Sequence, residues 1–126
     1  YSFGFKHGAP LDADIVIDVR FLPNPFYIPE LRGLTGLDKP VSDYVLGREE
    51  TTKFLEAWEN LLNCVMPGYV AEGKQHLAIG VGCTGGQHRS VVLAEKTAAL
   101  LRDSGYNVRA YHRDIALADT SKGATK

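Results

Sequence analysis

"HLAIGVGCTGGQHRSVVLAEKTAALLRDSG", residues 76–105, decides the fold. Its first seven residues, 76–82, form a short apolar run that reads as a buried strand. A glycine-rich turn follows. From Arg89 onward the apolar residues 92, 93, 98, 100 and 101 keep helical spacing, and Gly105 supplies the stop. A strand that turns through glycines into a helix is half of a βαβ unit, and "YNVRAYH" (106–112) is the expected returning strand. Upstream, "ADIVIDVRF" (13–21) carries Ile15, Val16, Ile17 and Val19 as a second buried strand, and "SFGF" (2–5) alternates like a third. The expectation is an α/β fold: a small, mostly parallel sheet with flanking helices and a phosphate-binding loop at a strand-to-helix turn.

The remaining segments fit one domain over 1–126, with 115–126 expected as a flexible tail. "TTKFLEAWENLLNCVM" (51–66) shows a helical stripe that places Trp58 and Cys64 in the core. Thr51 or Thr52 is its candidate cap, and Pro67-Gly68 its stop. "PVSDYVL" (40–46) suits one or two helical turns, while residues 22–40, with four prolines, read as an irregular connector. His7 and His76 are expected at the surface. The net charge of −1 gives no global basic field, so nucleic-acid contact needs a local patch. Apolar runs fall far short of the ~20 residues that span a bilayer. Two cysteines 19 residues apart make no disulfide framework, which points to a reducing cytoplasm. The start at Tyr1 suggests a piece of a longer protein.

The loop admits three chemistries. Its physics is that of an anion site: glycines let main-chain N–H groups close on a guest, and the helix N-terminus adds partial positive charge. Arg89 offers a bidentate fork, Thr84 and Ser90 offer hydroxyls, and Cys83, Gly85, Gly86, Gln87 and His88 complete the cradle. Gly80, Gly82 and Gly85 also match G-x-G-x-x-G, but a dinucleotide ribose wants an acidic residue about 20 positions on at the end of the next strand, whereas Asp103 lies at the end of the helix and Asp114 comes too late. Cys83 to Ser90 matches C-x5-R-S of cysteine-dependent phosphatases, with Cys83 as alternative nucleophile. Gly82 stands where those enzymes carry His, and no spacing selects a general acid among Asp18, Asp38 and Asp114. A binding role, without catalysis, cofactor or metal, is the expectation. No G-x-x-x-x-G-K-[ST] occurs.

"SFGFKHGAPLDADIVIDVRFLPNPF", "ELRGLTGLDKPV", "GCTGGQHRSVVLAE" and "HRD", in this order, resemble the C-terminal domain of the RapZ/YvcJ family of bacterial RNase adapter and nucleotide-binding proteins. The resemblance runs from about Ser2 to Asp114. It implies an N-terminal P-loop domain for ATP or GTP elsewhere in the full-length protein. For this domain it implies small-RNA binding, presentation of that RNA to a ribonuclease, sensing of glucosamine-6-phosphate and homo-oligomer formation. Carried over by motif, the phosphate falls on Cys83, Thr84, Gly85, Gly86, Gln87, His88, Arg89 and Ser90. The sugar falls on Asp18 and Arg20, with Asn24 close by; a mutual Asp18–Arg20 ion pair is the alternative reading. RNA falls on His112, Arg113, Lys122 and Lys126, with Phe26 as a stacking candidate and Arg32 near either ligand. Two features depart from the family pattern. Residues 102–126 carry five Lys or Arg against three Asp, a net of +2 where enterobacterial members are strongly basic, and Phe26 stands where the family often has His.

Overall fold

A computed structural model describes residues 1–117. Three strands, β1 (Ser2–Gly4), β2 (Ile15–Asp18) and β3 (Ile79–Cys83), form one sheet in the order β1-β3-β2. Both pairings are parallel, so the sheet is wholly rather than mostly parallel. Four helices pack against it: α1 (Pro29–Arg32), α2 (Lys39–Leu46), α3 (Glu49–Ala71) and α4 (Arg89–Asp103).

The two faces of β3 have different neighbours. Val81 and Cys83 enter a cluster with Val19, Leu22, Val41, Val45, Val92 and Leu93, with Ile79 packed beside it. Trp58, Leu62, Met66 and Leu101 form a second cluster, and Ile17, Ile79, Phe54 and Leu55 pack against both. On the other face stand Gly80 and Gly82. A Cβ on Gly82 would lie 2.5 Å from the Phe3 ring and 2.6 Å from that of Phe5, and one on Gly80 3.2 Å from Phe3. Alternating glycines in β3 are the floor on which two aromatic rings lie.

Several local expectations are corrected. Residues 106–112 form no strand: they meet β1 through one bridge, Ser2 to His112, with Ser2 N–H bonded to Tyr111 O and Arg113 N–H to Ser2 O. The ladder stops there because the next N–H, that of Gly4, donates to the Asp114 carboxylate at 2.8 Å. α3 starts at Glu49, with Arg48 as N-cap, so neither threonine caps it; Thr51 is fully buried. Acidic Glu49 and Glu50 suit the dipole of that first turn. The helix also runs through Pro67. Proline removes one hydrogen bond, but Asn63 and Pro67 are exposed, so water can reach the orphaned carbonyl. Cys64 is exposed rather than core, since two residues from Leu62 it lies on the opposite side of the helix. Residues 22–40 are not irregular throughout: a 3-10 turn at Pro25–Tyr27, α1 and the first residues of α2 lie inside them. His76 is exposed, but His7 is half-buried with Nε2 shut from solvent.

Candidate anion site at the carboxyl edge of the sheet

Parallel pairing brings Gly4, Asp18 and Cys83 to one edge, where the segments that follow the three strands meet. Outside the carboxyl ends of parallel strands is the usual ligand position in open α/β sheets. Residues 84–88 lie there against the backbone of β1. A Cβ on Gly4 would fall 2.4 Å from Gly85 C, and one on Gly86 2.7 Å from Gly4 N. Gly86 has φ +84°, which disfavours any side chain. The loop carbonyls face their neighbours: Thr84 O accepts from Lys6 N–H and Gln87 O from Gly36 N–H. The N–H groups of Gly85, Gly86 and Gln87 find no acceptor among the described residues. The first turn of α4 adds further unpaired N–H groups and the positive end of its dipole. Beside them opens a cavity of about 260 Å³, lined by Asn24, Phe26, Tyr27, Cys83, Thr84, Gly85, Gln87, His88 and Arg89.

Arg89 is 4 % exposed. Its Nη1 donates to Arg20 O at 2.8 Å and Leu22 O at 2.9 Å, which fastens the segment after β2 to the loop. Its Nε is buried and has no hydrogen-bond partner among the described residues. Burial lowers the guanidinium pKa from its ordinary value, as expected for a cation taken from water. The expected two-pronged fork is therefore turned partly inward, with Nη1 spent on two main-chain carbonyls and Nε enclosed by the protein.

The other loop side chains brace the cradle. His88 Nε2 donates to Leu34 O at 2.7 Å and Gln87 Nε2 to Ile115 O at 3.2 Å. The Cys83 thiol donates to the Ser90 hydroxyl at 3.1 Å, and both residues are buried. Thr84 stands exposed at the lip. Asn24 Oδ1 accepts from Phe26 N–H, which leaves its amide nitrogen as a donor. Phe26 meets Tyr27 edge-on, and Arg32 stacks over Phe26 and donates to its carbonyl.

Asp18 and Arg20 do not line the cavity. They form a bidentate pair, Arg20 Nε to Asp18 Oδ1 at 3.0 Å and Nη2 to Oδ2 at 2.7 Å, with the guanidinium 4.1 Å from the Phe5 ring centre. The hydrogen bond from the Arg20 side chain holds the Asp18 carboxyl below its usual range. The residues expected to meet RNA are scattered. His112 lies between Ser2 Oγ and Glu95, each at 2.7 Å; Arg113 grips Asp114 and Gly8 O; Phe26 is in the cavity wall. Lys122 and Lys126 lie outside the described residues. Sequence reasoning missed Gly4 and Gly36, whose closeness to the loop is a long-range fact. The one local signal was the presence of glycine in "SFGF" and, twice, in "RGLTG".

Residues 1–116 match the family model described as the RapZ C-terminal domain. A "Nucleotide-binding protein" of Limosilactobacillus reuteri is 58% identical over 117 residues, which are 93% of this chain and 40% of that protein. One of Clostridium beijerinckii is 52% identical over 125 residues, 99% of this chain and 42% of its own length. One of Thermobifida fusca is 53% identical over 114 residues, 90% and 39% respectively. The chain thus spans about two-fifths of the length of these relatives.

Proposed function

The chain belongs to the RapZ C-terminal domain family, and on that premise we propose that it is a regulatory binding domain. It takes a phosphorylated amino sugar of the glucosamine-6-phosphate type in the 83–90 loop and links its level to turnover of a small RNA by a ribonuclease. The observation that carries the reading is that Gly85 and Gln87, whose main-chain N–H groups find no acceptor among the described residues, line one cavity together with the buried cation Arg89 at the start of α4. A cation taken from water with a donor unmatched is destabilising unless an anion completes it, and a phosphate does so. At about 260 Å³ the cavity is below the usual range for drug-sized ligands, a size suited to a small metabolite rather than a dinucleotide. Asn24 and Thr84 at the rim supply donors for hydroxyls.

Nucleotide binding, which the relatives' names carry, is assigned to the part of those proteins that this chain does not span. RNA contact is assigned to the edges of this domain together with the chain beyond residue 117. Among the described residues no helix is long and apolar enough to cross a membrane.

Calorimetric titration of glucosamine-6-phosphate, glucose-6-phosphate and inorganic phosphate tests the site. The expected order is amino sugar phosphate first and inorganic phosphate last. Absence of heat with all three would remove the metabolite reading, and equal affinity would reduce the site to a phosphate cradle. Hydrolysis of p-nitrophenyl phosphate that Cys83→Ser abolishes would replace binding by catalysis.

A further inference from the structure

Asp114 is buried, His112 half-buried and Arg113 exposed, and the side chain of each is tied to other parts of the chain. Asp114 is 1 % exposed. Its Oδ2 accepts from Gly4 N–H at 2.8 Å and from Arg113 Nη2 at 2.7 Å, and its Oδ1 from Arg113 Nε at 2.9 Å. Arg113 Nη2 also donates to Gly8 O at 2.6 Å, and the guanidinium stands 5.4 Å from the Phe3 ring centre. A buried carboxylate is tolerated only when paired and hydrogen-bonded, and here both conditions are met by the adjacent residue and by β1.

The carboxylate holds one main-chain N–H, that of Gly4. Gly4 is also the backbone against which Gly85 and Gly86 lie without room for a methyl group, and a Cβ on Gly86 would sit 3.0 Å from Asp114 Cβ. Gln87, from inside the cavity wall, reaches Ile115 O. The anion loop thus meets residues 114 and 115 in two ways, directly through the Gln87–Ile115 hydrogen bond and through Gly4, which Asp114 holds against Gly85 and Gly86.

We propose that Asp114, neutralised by Arg113, is the positioning residue of the anion loop: it fixes Gly4, on which the loop amides are laid, and so couples occupancy of the cavity to the anchoring of residues 112–117. The inference rests on the anion-binding reading above. It assigns Arg113 and His112 to bracing the loop from behind rather than to contacting RNA. His112, between Ser2 and Glu95, ties the same segment to β1 and α4. Asp114 need not repel the guest, since both its oxygens are turned to donors of the protein.

Coupling between sites is reciprocal, which a purely structural contact is not required to show. Amide hydrogen exchange of residues 1–126 is measured with and without saturating inorganic phosphate, following Gly4 N–H, which donates to Asp114, and Leu117 N–H, which donates to Asp114 O. Both should slow by about tenfold, within the ordinary range of such coupling, while amides in the middle of α3 keep their rates. Asp114→Asn should weaken phosphate binding by about tenfold, whereas Thr97→Val, a core change away from the loop, should leave it within about twofold. Phosphate binding with unchanged Gly4 and Leu117 exchange overturns the proposal and leaves the anion site standing, whether or not Asp114→Asn folds. Undiminished phosphate binding by a folded Asp114→Asn does the same. No phosphate binding by the unmutated domain overturns both.

Discussion

Arg89 joins two tasks that a sequence motif cannot separate. C-x5-R-S places an arginine at the mouth of a helix, and the residue type alone suggests a fork aimed at phosphate. The Arg20 and Leu22 carbonyls that receive Nη1 follow an Asp18–Arg20 pair nearly 70 positions upstream, so no local pattern announces them. The Asp18–Arg20 pair, by contrast, was open to local reasoning: two opposite charges flanking one residue at a strand end can meet without tertiary help. Arg89→Lys should therefore do double damage. One ammonium cannot span both carbonyls and also replace Nε, so stability should drop by about 1.5–3 kcal/mol and phosphate affinity should fall with it. Urea midpoints read the first effect and calorimetry the second; a variant of unchanged stability would show that the carbonyl contacts matter little.

At the scale of elements, β3, the glycine turn and α4 were legible because each has a local cause: an apolar run, glycines, and helical spacing. The stripe of α3 was legible too, but its ends were not. Its start depends on Arg48 and two glutamates rather than a threonine, and its end depends on whether water reaches the carbonyl that Pro67 orphans. The loss of the 106–112 strand is a tertiary effect, since the side chain of Asp114, two residues beyond that segment, takes the N–H that a longer ladder would use. α3 and α4 are joined by Trp58 Nε1, which donates to Thr97 Oγ1 at 2.9 Å, while Thr97 donates to Leu93 O. Thr97→Val keeps the volume but leaves the buried indole N–H unpaired. It should lower stability by about 1–3 kcal/mol, measured by urea unfolding, and a neutral result would mean that the indole finds another acceptor.

In the molecule as a whole, parallel strands collect three chain segments at one edge, and ionised carboxylates brace the sheet at both ends: Asp14 before β2 and β3, Asp18 and Asp114 at the carboxyl ends. Asp14 is held below its usual range by the N–H of Ala78 and by Lys74, and Asp18 by Arg20. Burial pushes Asp114 upward, but its bonds to Arg113 and Gly4 outweigh that and hold it low. A carboxyl whose folded pKa is depressed stabilises fully above its unfolded value and loses that contribution as pH falls through the folded one. The urea midpoint should therefore vary little with these groups between pH 7 and 5 and fall below about pH 4; a midpoint that rises on acidification would contradict the pairing. Phosphate affinity should fall over the same acid range if Asp114 positions the loop. The most direct measurement of the account is a nuclear magnetic resonance titration of residues 1–126 with inorganic phosphate at neutral pH. The account predicts saturable shifts of the Gly85, Gly86 and Gln87 amides and of the Arg89 Nε–H signal, with one dissociation constant. Amides that stay in place while phosphate reaches high millimolar concentration would contradict it.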